Sequence, residues 1–294
     1  MKEKTIYALG FFDGVHLGHQ ALLQRCAALA KAHGCKAGAV TFADHPARLV
    51  KGNAPTLITT LEQRRRLLLA YGMDCVQVLT FDETRMHTHW SDFLDQLVQG
   101  GAAGFVCGSD FRFGAGGGGT AEKLEQFCAA RNLPWAVVPQ QLLDGVRVSS
   151  SHIRQLLEAG EMAEANRFLG HSYALSGPVM AGKHLGRTIG VPTANLHLPD
   201  QLLVPRLGVY AAVAEVGGRR YGAVVNIGTR PTVNGEGITV EAHLLDFAGD
   251  LYGKELQLSF LAFLRPEQKF GSLEQLQAQI QKNALQTRQI LEKQ

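Results

Sequence analysis

At 294 residues the chain is long enough for about two domains, each burying its own core. Apolar residues make up 46% and charged residues 19%, which excludes a disordered polymer, and a formal charge of +3 gives no reason to expect a nucleic-acid or membrane partner. Cys26, Cys35, Cys75, Cys107 and Cys128 lack CxxC or Cys/His metal spacing and read as buried, reduced thiols. No continuous apolar segment of the signal-peptide kind is expected before His16, and no stretch approaches the roughly eighteen residues of a spanning helix. The expected location is therefore the cytoplasm, and the oligomeric state stays open.

In chain order, Ile6, Ala8 and Leu9 form a short apolar run fit for a buried strand. Gly10 ends it, and Asp13-Gly14 is a turn signal. From His19 the spacing of Leu22, Leu23, Cys26 and Leu29 predicts a helix. His16 and His19 thus sit at a strand-to-helix junction beside Gly14 and Gly18, where free helix N–H groups and imidazoles suit a polyphosphate. Residues 37–42, 75–79, 104–107 and 135–138 read as further strands. Helices are expected over 60–71, capped by Thr59 or Thr60, from a cap at Ser91 through Leu97, and over 120–130. This alternation predicts a parallel sheet covered on both faces, with ligands past the strands' carboxyl ends. Residues 16–19 and 108–119 both fall there.

Two short helices are expected over 149–158 and 161–168. Residues 173–180, 208–216, 221–227, 239–247 and 255–263 then read as strands without intervening helices, with a hairpin signal at Gly217-Gly218. That pattern predicts an antiparallel sheet or small barrel. Residues 272–291 read as one helix whose apolar face carries Leu273, Leu276, Ile280, Ala284, Leu285 and Leu291. The expected domains are 1–171 and 172–294.

Three stretches add chemistry to the histidine pair. Gly108-Ser-Asp-Phe-Arg-Phe-Gly114 leads into Ala115, four glycines and a capping Thr120. Val148-Ser-Ser-Ser-His-Ile-Arg154 places hydroxyls at a helix start and a guanidinium one turn later, as a phosphate clamp does. Thr41-Phe-Ala-Asp-His-Pro46 ends another strand at the same edge of the sheet. Together with Gly10-Phe-Phe-Asp-Gly-Val-His-Leu-Gly-His19, they resemble the adenylyltransferase half of bacterial bifunctional riboflavin kinase/FAD synthetases, over about residues 5–170. The resemblance implies transfer of an adenylyl group from ATP to FMN, giving FAD and pyrophosphate. It assigns the phosphates to His16 and His19, with Ser150, Ser151, Arg154 and Asp110 in the second phosphate motif. Gly10, Phe12, Asp13, Gly14, Gly18 and His45 join the same nucleotide site. The family often carries a basic or amide side chain where this chain has glycines, so a looser, less positive loop is expected at 115–119. Asp44 stands where the family has proline, and makes His45 more basic if the two pair.

Residues 182–196 read GKHLGRTIGVPTANL, a glycine-rich basic loop followed by a turn at Pro192-Thr-Ala-Asn195. It lacks a Walker A ending. Strict alternation puts Glu241 and His243 on one strand face, and Ala242 and Leu244 on the other. With Asn226-Ile-Gly-Thr-Arg-Pro231, Pro205, Gly208-Val-Tyr210, Leu251-Tyr-Gly253 and Phe263-Leu-Arg265-Pro-Glu267, these segments resemble the riboflavin kinase domain over about residues 172–291. The resemblance implies a six-stranded antiparallel barrel with a terminal helix, so the whole chain is expected to be an α/β, doubly wound nucleotidyltransferase domain followed by a barrel kinase domain. It makes Glu241 the base for the ribityl 5′-hydroxyl, and Thr193 and Asn195 holders of Mg²⁺ and ATP phosphates. Gly182, Lys183, Gly186 and Arg187 cover the phosphates, Asn226 joins the site, and Arg265 lies on the flavin side. Asn283 replaces a usual acidic residue, with a modest effect expected. Two alternatives stay open: a kinase whose adenylyltransferase half is weakened, and a flavin- or nucleotide-binding regulator without turnover.

Overall fold

Five apolar strands order the first half of the chain: β1 (Thr5–Leu9), β2 (Lys36–Phe42), β3 (Cys75–Leu79), β4 (Ala102–Gly108) and β5 (Trp135–Val138). They pair in parallel in the order β3-β2-β1-β4-β5 in the computed structural model, which describes residues 4–180, 192–232 and 235–293. Contacts divide the chain into two units, Met1–His152 and Ile153–Gln294.

In the first unit the pleat separates side chains between two cores. Ile6, Ala8 and Val106 pack with Leu22, Leu23 and Cys26 of α1 (Leu17–Ala32), and with Leu68 of a later helix (Leu61–Ala70). Leu9, Phe105 and Cys107 pack on the other face, against helices Trp90–Gln99 and Ala121–Ala130. Full burial of a side chain such as Leu23 or Phe105 contributes about 1.5–3 kcal/mol. From β1 the chain adds β2 and β3 on one side, then returns to add β4 and β5 on the other. The loops after β1 and β4 diverge at this switch point, and a crevice opens between them.

Chain order fixes the remaining labels: α2 (Ala47–Lys51), α3 (Leu61–Ala70), α4 (Glu83–His87), α5 (Trp90–Gln99) and α6 (Ala121–Ala130). Thr60 caps α3 through a complete capping box with Gln63. The cap of α5 is His89 rather than Ser91, because the imidazole Nδ1 accepts the Ser91 N–H at 3.4 Å. The short α2 and α4 are too brief to give a periodic signal. The loop at 115–119 carries backbone hydrogen bonds of its own. Gly117 N–H donates to Gly114 O at 2.9 Å, Gly118 N–H to Ala115 O at 3.0 Å, and Phe113 bridges Gly119. Gly114, at φ +71°, packs so closely on Trp90 that a Cβ would lie 2.5 Å from Trp90 Cα. A small hairpin, β6 (Leu142–Leu143) and β7 (Val146–Arg147), turns at Asp144-Gly145, both at positive φ.

In the second unit, β8 (Ala174–Met180), β9 (Ala194–Leu196), β10 (Gly208–Val216), β11 (Arg219–Thr232), β12 (Gly235–Leu244) and β13 (Glu255–Arg265) close a barrel in the order β10-β11-β12-β9-β8-β13. All its pairings are antiparallel. Gly217 and Gly218 both take positive φ between β10 and β11, as a type I′ hairpin requires. The expected turn at Pro192–Asn195 is corrected here, since Ala194–Leu196 is a strand that links β12 to β8. Closure demands a partner for each edge, and three residues after a proline supply it.

Helices α7 (Ser150–Ala159) and α8 (Met162–Leu169) precede the barrel, and α9 (Leu273–Leu291) follows it. The apolar face expected for α9 is only partly right. Its buried residues are Asn283 and Thr287, flanked by half-buried Leu276, Ile280, Ala284 and Leu291, while Leu273 and Leu285 are exposed. Asn283 and Thr287 are one turn apart, so the helix turns a polar pair inward.

Candidate active sites

The loop from β1 to α1 is held under strain. Phe12 sits at φ +60° and Val15 at φ +39°, conformations costing roughly 1–3 kcal/mol each for residues with a Cβ. The buried Asp13 offsets this. Its carboxylate accepts Ile58 N–H at 3.0 Å, Thr59 N–H at 3.1 Å and the Thr59 hydroxyl at 3.1 Å. Hydrogen bonds to a charged group contribute about 1.5–3 kcal/mol each, enough to fix the loop. The Phe12 ring is in the core.

Arg64 of α3, fully buried, clamps the same loop from below. Its guanidinium donates to Phe11 O at 3.2 Å, Phe42 O at 2.8 Å and Ala43 O at 3.3 Å, and lies 4.3 Å from the Phe11 ring centroid. Desolvation lowers its pKa to about 10, against the raising effect of Asp13 and Asp44, so it stays charged at neutral pH. Sequence reasoning missed Arg64. The signal was its place three residues after Leu61 and four before Leu68, on the helix face turned inward.

The fixed loop delivers two rings. His16 caps α1, its Nδ1 accepting His19 N–H at 3.3 Å. The two imidazoles stack, with centroids 3.7 Å apart and planes 14° apart, and Phe12 meets His19 edge-on at 5.3 Å. Desolvation, then the His16 and Arg64 charges, draw the His19 pKa well below 6.5, so this ring is neutral. Its Nδ1 is enclosed and has no hydrogen-bond partner among the described residues.

Both rings line a cavity of 240 Å³ at the carboxyl ends of β1, β4 and β5, shared with Gly18, Asp110, Arg147 and Ser150. Arg147 Nη2 donates to Asp110 Oδ2 there. Ser149 Oγ accepts His152 N–H at 3.3 Å, Ser150 Oγ donates to Asp13 O at 2.9 Å, and Ser151 is exposed. Arg154 is half-buried one turn further along α7. Of the residues expected at this site, His16, Gly18, His19, Asp110 and Ser150 meet on the cavity. Gly10, Phe12, Asp13 and Gly14 build the loop behind it, and Gly14 N–H donates to Thr59 Oγ1 at 3.1 Å. His45 does not line the cavity: its Nδ1 accepts Ala47 N–H at 3.1 Å, and Asp44 faces Arg48 at 3.8 Å.

The second constellation follows from barrel register. Glu241 on β12 lies directly opposite Asn195 on β9 and Asn226 on β11. Val209 continues the row to Arg265 on β13. Residues directly opposite share a face, so these side chains stand together. Their strand neighbours Ala194, Leu196, Val225, Ile227, Val240 and Ala242 are buried on the inner face. Glu241 and His243 therefore do face one way, with Ala242 and Leu244 opposite. Asn226 Nδ2 also donates to Glu267 Oε1 at 3.5 Å, and Gly228 lets that carboxylate approach, since a Cβ there would lie 2.2 Å from it. Thr193 lines a separate 240 Å³ cavity with Pro192, Leu244, Phe247 and Tyr252. His243 Nδ1 donates to Pro192 O at 3.0 Å, which fixes the entry to β9, and sequence reasoning gave it no such role. Arg265 is held by Asn283: with that amide turned to satisfy its neighbours, its oxygen accepts Arg265 Nε at 3.3 Å. Gly182, Lys183, Gly186 and Arg187 lie outside the described residues.

Fold and sites define two units with separate polar constellations, one at a parallel-sheet switch point and one on a barrel wall. The family model described as FAD synthetase matches residues 1–152, and that described as riboflavin kinase matches residues 169–291. The chain is 39% identical over 294 residues to the bifunctional riboflavin kinase/FMN adenylyltransferase of Escherichia coli K12, covering 98% of this chain and 93% of that one. It is 34% identical to the protein of that name from Listeria monocytogenes, covering 96% and 91%. A crystal structure titled as a macrolide-efflux protein from Streptococcus pneumoniae superposes with a TM-score of 0.90 and 30% identity, covering 98% and 95%. Among the described residues no helix is long and apolar enough to cross a membrane. The chain belongs to the bifunctional riboflavin kinase/FMN adenylyltransferase family.

Proposed function

We infer that the chain phosphorylates riboflavin to FMN and then adenylylates FMN to FAD, using ATP in both steps. One observation carries this reading. Each family match covers a unit with its own constellation, the histidine-lined cavity within residues 1–152 and the Asn195–Glu241–Asn226 row within residues 169–291. The proposed domains are 1–171 and 172–294, acting in the cytoplasm on small-molecule substrates. Burial raises the thiols of Cys26, Cys107 and Cys128 to about 12, which keeps them protonated and unreactive at neutral pH.

In adenylylation an FMN phosphate oxygen attacks the α-phosphorus of ATP, and pyrophosphate leaves with the electron pair of the broken bond. Such transfer depends on orientation and charge stabilisation more than covalent help. His16 and His19 are the proposed phosphate donors. Because His16 Nδ1 accepts His19 N–H, a neutral His16 carries its proton on Nε2, the ring nitrogen with donor character. The N–H groups opening α7 and its Arg154 are assigned to the leaving pyrophosphate.

In phosphorylation the ribityl 5′-hydroxyl oxygen attacks the γ-phosphorus, Glu241 takes its proton, and ADP leaves with the bond's electron pair. Asn195 and Asn226, directly across from Glu241, orient the reacting groups in this proposal. Asn195 stands opposite Glu241 and Thr193 lies two residues before it; both offer hard oxygen donors and are assigned to Mg²⁺ and the ATP phosphates in this proposal. Mg²⁺ would neutralise phosphate charge when bound. Gly182, Lys183, Gly186 and Arg187 keep the proposed covering role, and Arg265 the flavin side.

Incubation with riboflavin and Mg-ATP, following FMN, FAD, ADP and pyrophosphate separately, tests the reading. FMN should appear first and FAD second. FMN formation without adenylylation of supplied FMN would reduce the chain to a kinase, and neither product would leave a binding protein.

A further inference from the structure

We propose that Arg147 is a polyphosphate-binding residue of the N-terminal cavity, and that Asp110 is its resting counter-ion, which the incoming nucleotide displaces. The proposal rests on the adenylylation reading above. Arg147 ends β7, directly before Val148 and the serine run, and lines the 240 Å³ cavity with His16, His19 and Ser150. Its Nη2 donates to Asp110 Oδ2 across 37 residues of sequence. The guanidinium makes no other side-chain hydrogen bond among the described residues, so most of its donors remain for a second acceptor.

The other lining groups cannot supply this charge. Arg147 is the one permanently cationic side chain among the described residues that line the cavity. The His19 ring is held neutral, first by burial and then by the electrostatic effect of His16 and Arg64. The Ser150 hydroxyl proton is committed to Asp13 O, and the Ser149 oxygen accepts His152 N–H. A tetra-anionic nucleotide entering here finds one permanent cation among the described lining residues.

The exchange is favourable on general grounds. Both members of the Asp110–Arg147 pair are 52% exposed, and an ion pair so exposed is weak. A guanidinium meets a phosphate in a fork of parallel hydrogen bonds and gains more. Once displaced, Asp110 is a carboxylate facing a polyanion, so it lowers affinity for the very ligand that Arg147 attracts.

The two residues therefore act with opposite signs, which separates this role from mere pinning of the β6–β7 hairpin. The test is calorimetric titration of the full chain with inorganic pyrophosphate, beside ATP KM and kcat for adenylylation of FMN. Arg147→Ala should raise the pyrophosphate Kd and the ATP KM by about 10- to 100-fold with a smaller change in kcat, and Arg147→Lys should restore part of the loss. Asp110→Asn should lower the pyrophosphate Kd. FMN formation from riboflavin and the unfolding midpoint check that each variant is folded.

Unchanged pyrophosphate binding in folded Arg147→Ala would overturn the proposal, as would equal weakening by Arg147→Ala and Asp110→Asn. A wild-type chain that makes no FAD but shows the opposed shifts would overturn the adenylylation reading and leave the Arg147 assignment standing.

Discussion

The imidazole of His16 stacks on that of His19 with ring centroids 3.7 Å apart, while its Nδ1 accepts the His19 backbone N–H. The pair is thus a helix cap and a cavity wall at once. Its protonation is coupled to folding, because His19 is kept neutral in the folded chain.

That coupling has a sign. The His19 pKa is 6.5 when unfolded and well below that when folded, so at acid pH the unfolded state binds more protons. Above pH 6.5 the ring is neutral in both states and contributes no slope. Below it, stability falls until the folded pKa is reached. His19→Gln should remove this part of the acid sensitivity. Both tryptophans, Trp90 and Trp135, lie within residues 1–152, so tryptophan fluorescence in urea follows the relevant unit. The expected result is that the wild-type midpoint drops more than the variant's between pH 7.5 and pH 5.5. Parallel drops would remove His19 as the source.

Arg64 gives a second prediction, joining stability to one activity. Arg64→Met leaves the carbonyls of Phe11, Phe42 and Ala43 without their donor. The expected loss is about 2–4 kcal/mol in the tryptophan-monitored unit. FAD formation should fall with it, because the loop carrying His16 loses its support, while FMN formation is spared. Arg64→Lys should recover little, since an ammonium cannot reproduce the planar fork. A variant that keeps full adenylylation would show that the loop stands without the clamp.

The third prediction concerns the end of the barrel row. Asn283→Leu removes the acceptor at Arg265 Nε, whose guanidinium is already disfavoured by desolvation. If Arg265 meets the flavin, the riboflavin KM should rise by roughly 10-fold with kcat little changed, and Asn283→Asp should keep KM near the wild-type value. A rise in KM for ATP instead would move Arg265 to the nucleotide side.

Much of this was legible in the sequence because the two halves differ in period. Strands β3, β5 and β10 fall where the apolar runs put them, since each is bounded by polar or glycine turns. The side-chain row on the barrel was legible only in part. Alternation placed Glu241 on the polar face, but its neighbours Asn195 and Asn226 are set by register, and β9 is too short to alternate. Phe12 and Asp13 sit inside the motif that identifies the cavity, yet they serve the loop, because a motif records residues in order and not which way they point. The polar Asn283 and Thr287 were unexpected in the buried face of α9 because the face was drawn through its leucines.

The claim at the centre of this account is that two separate sites act in sequence, and crossed variants test it most directly. Both half-reactions are measured for Glu241→Gln and for His19→Ala, with riboflavin or FMN supplied beside Mg-ATP. Glu241→Gln keeps shape and removes the charge proposed to take the hydroxyl proton, so kcat for FMN formation should fall at least about 10²-fold, with riboflavin binding and FAD formation from FMN retained. His19→Ala should lower FAD formation by about 10²-fold and leave FMN formation intact. Loss of both half-reactions in either folded variant would contradict two independent sites.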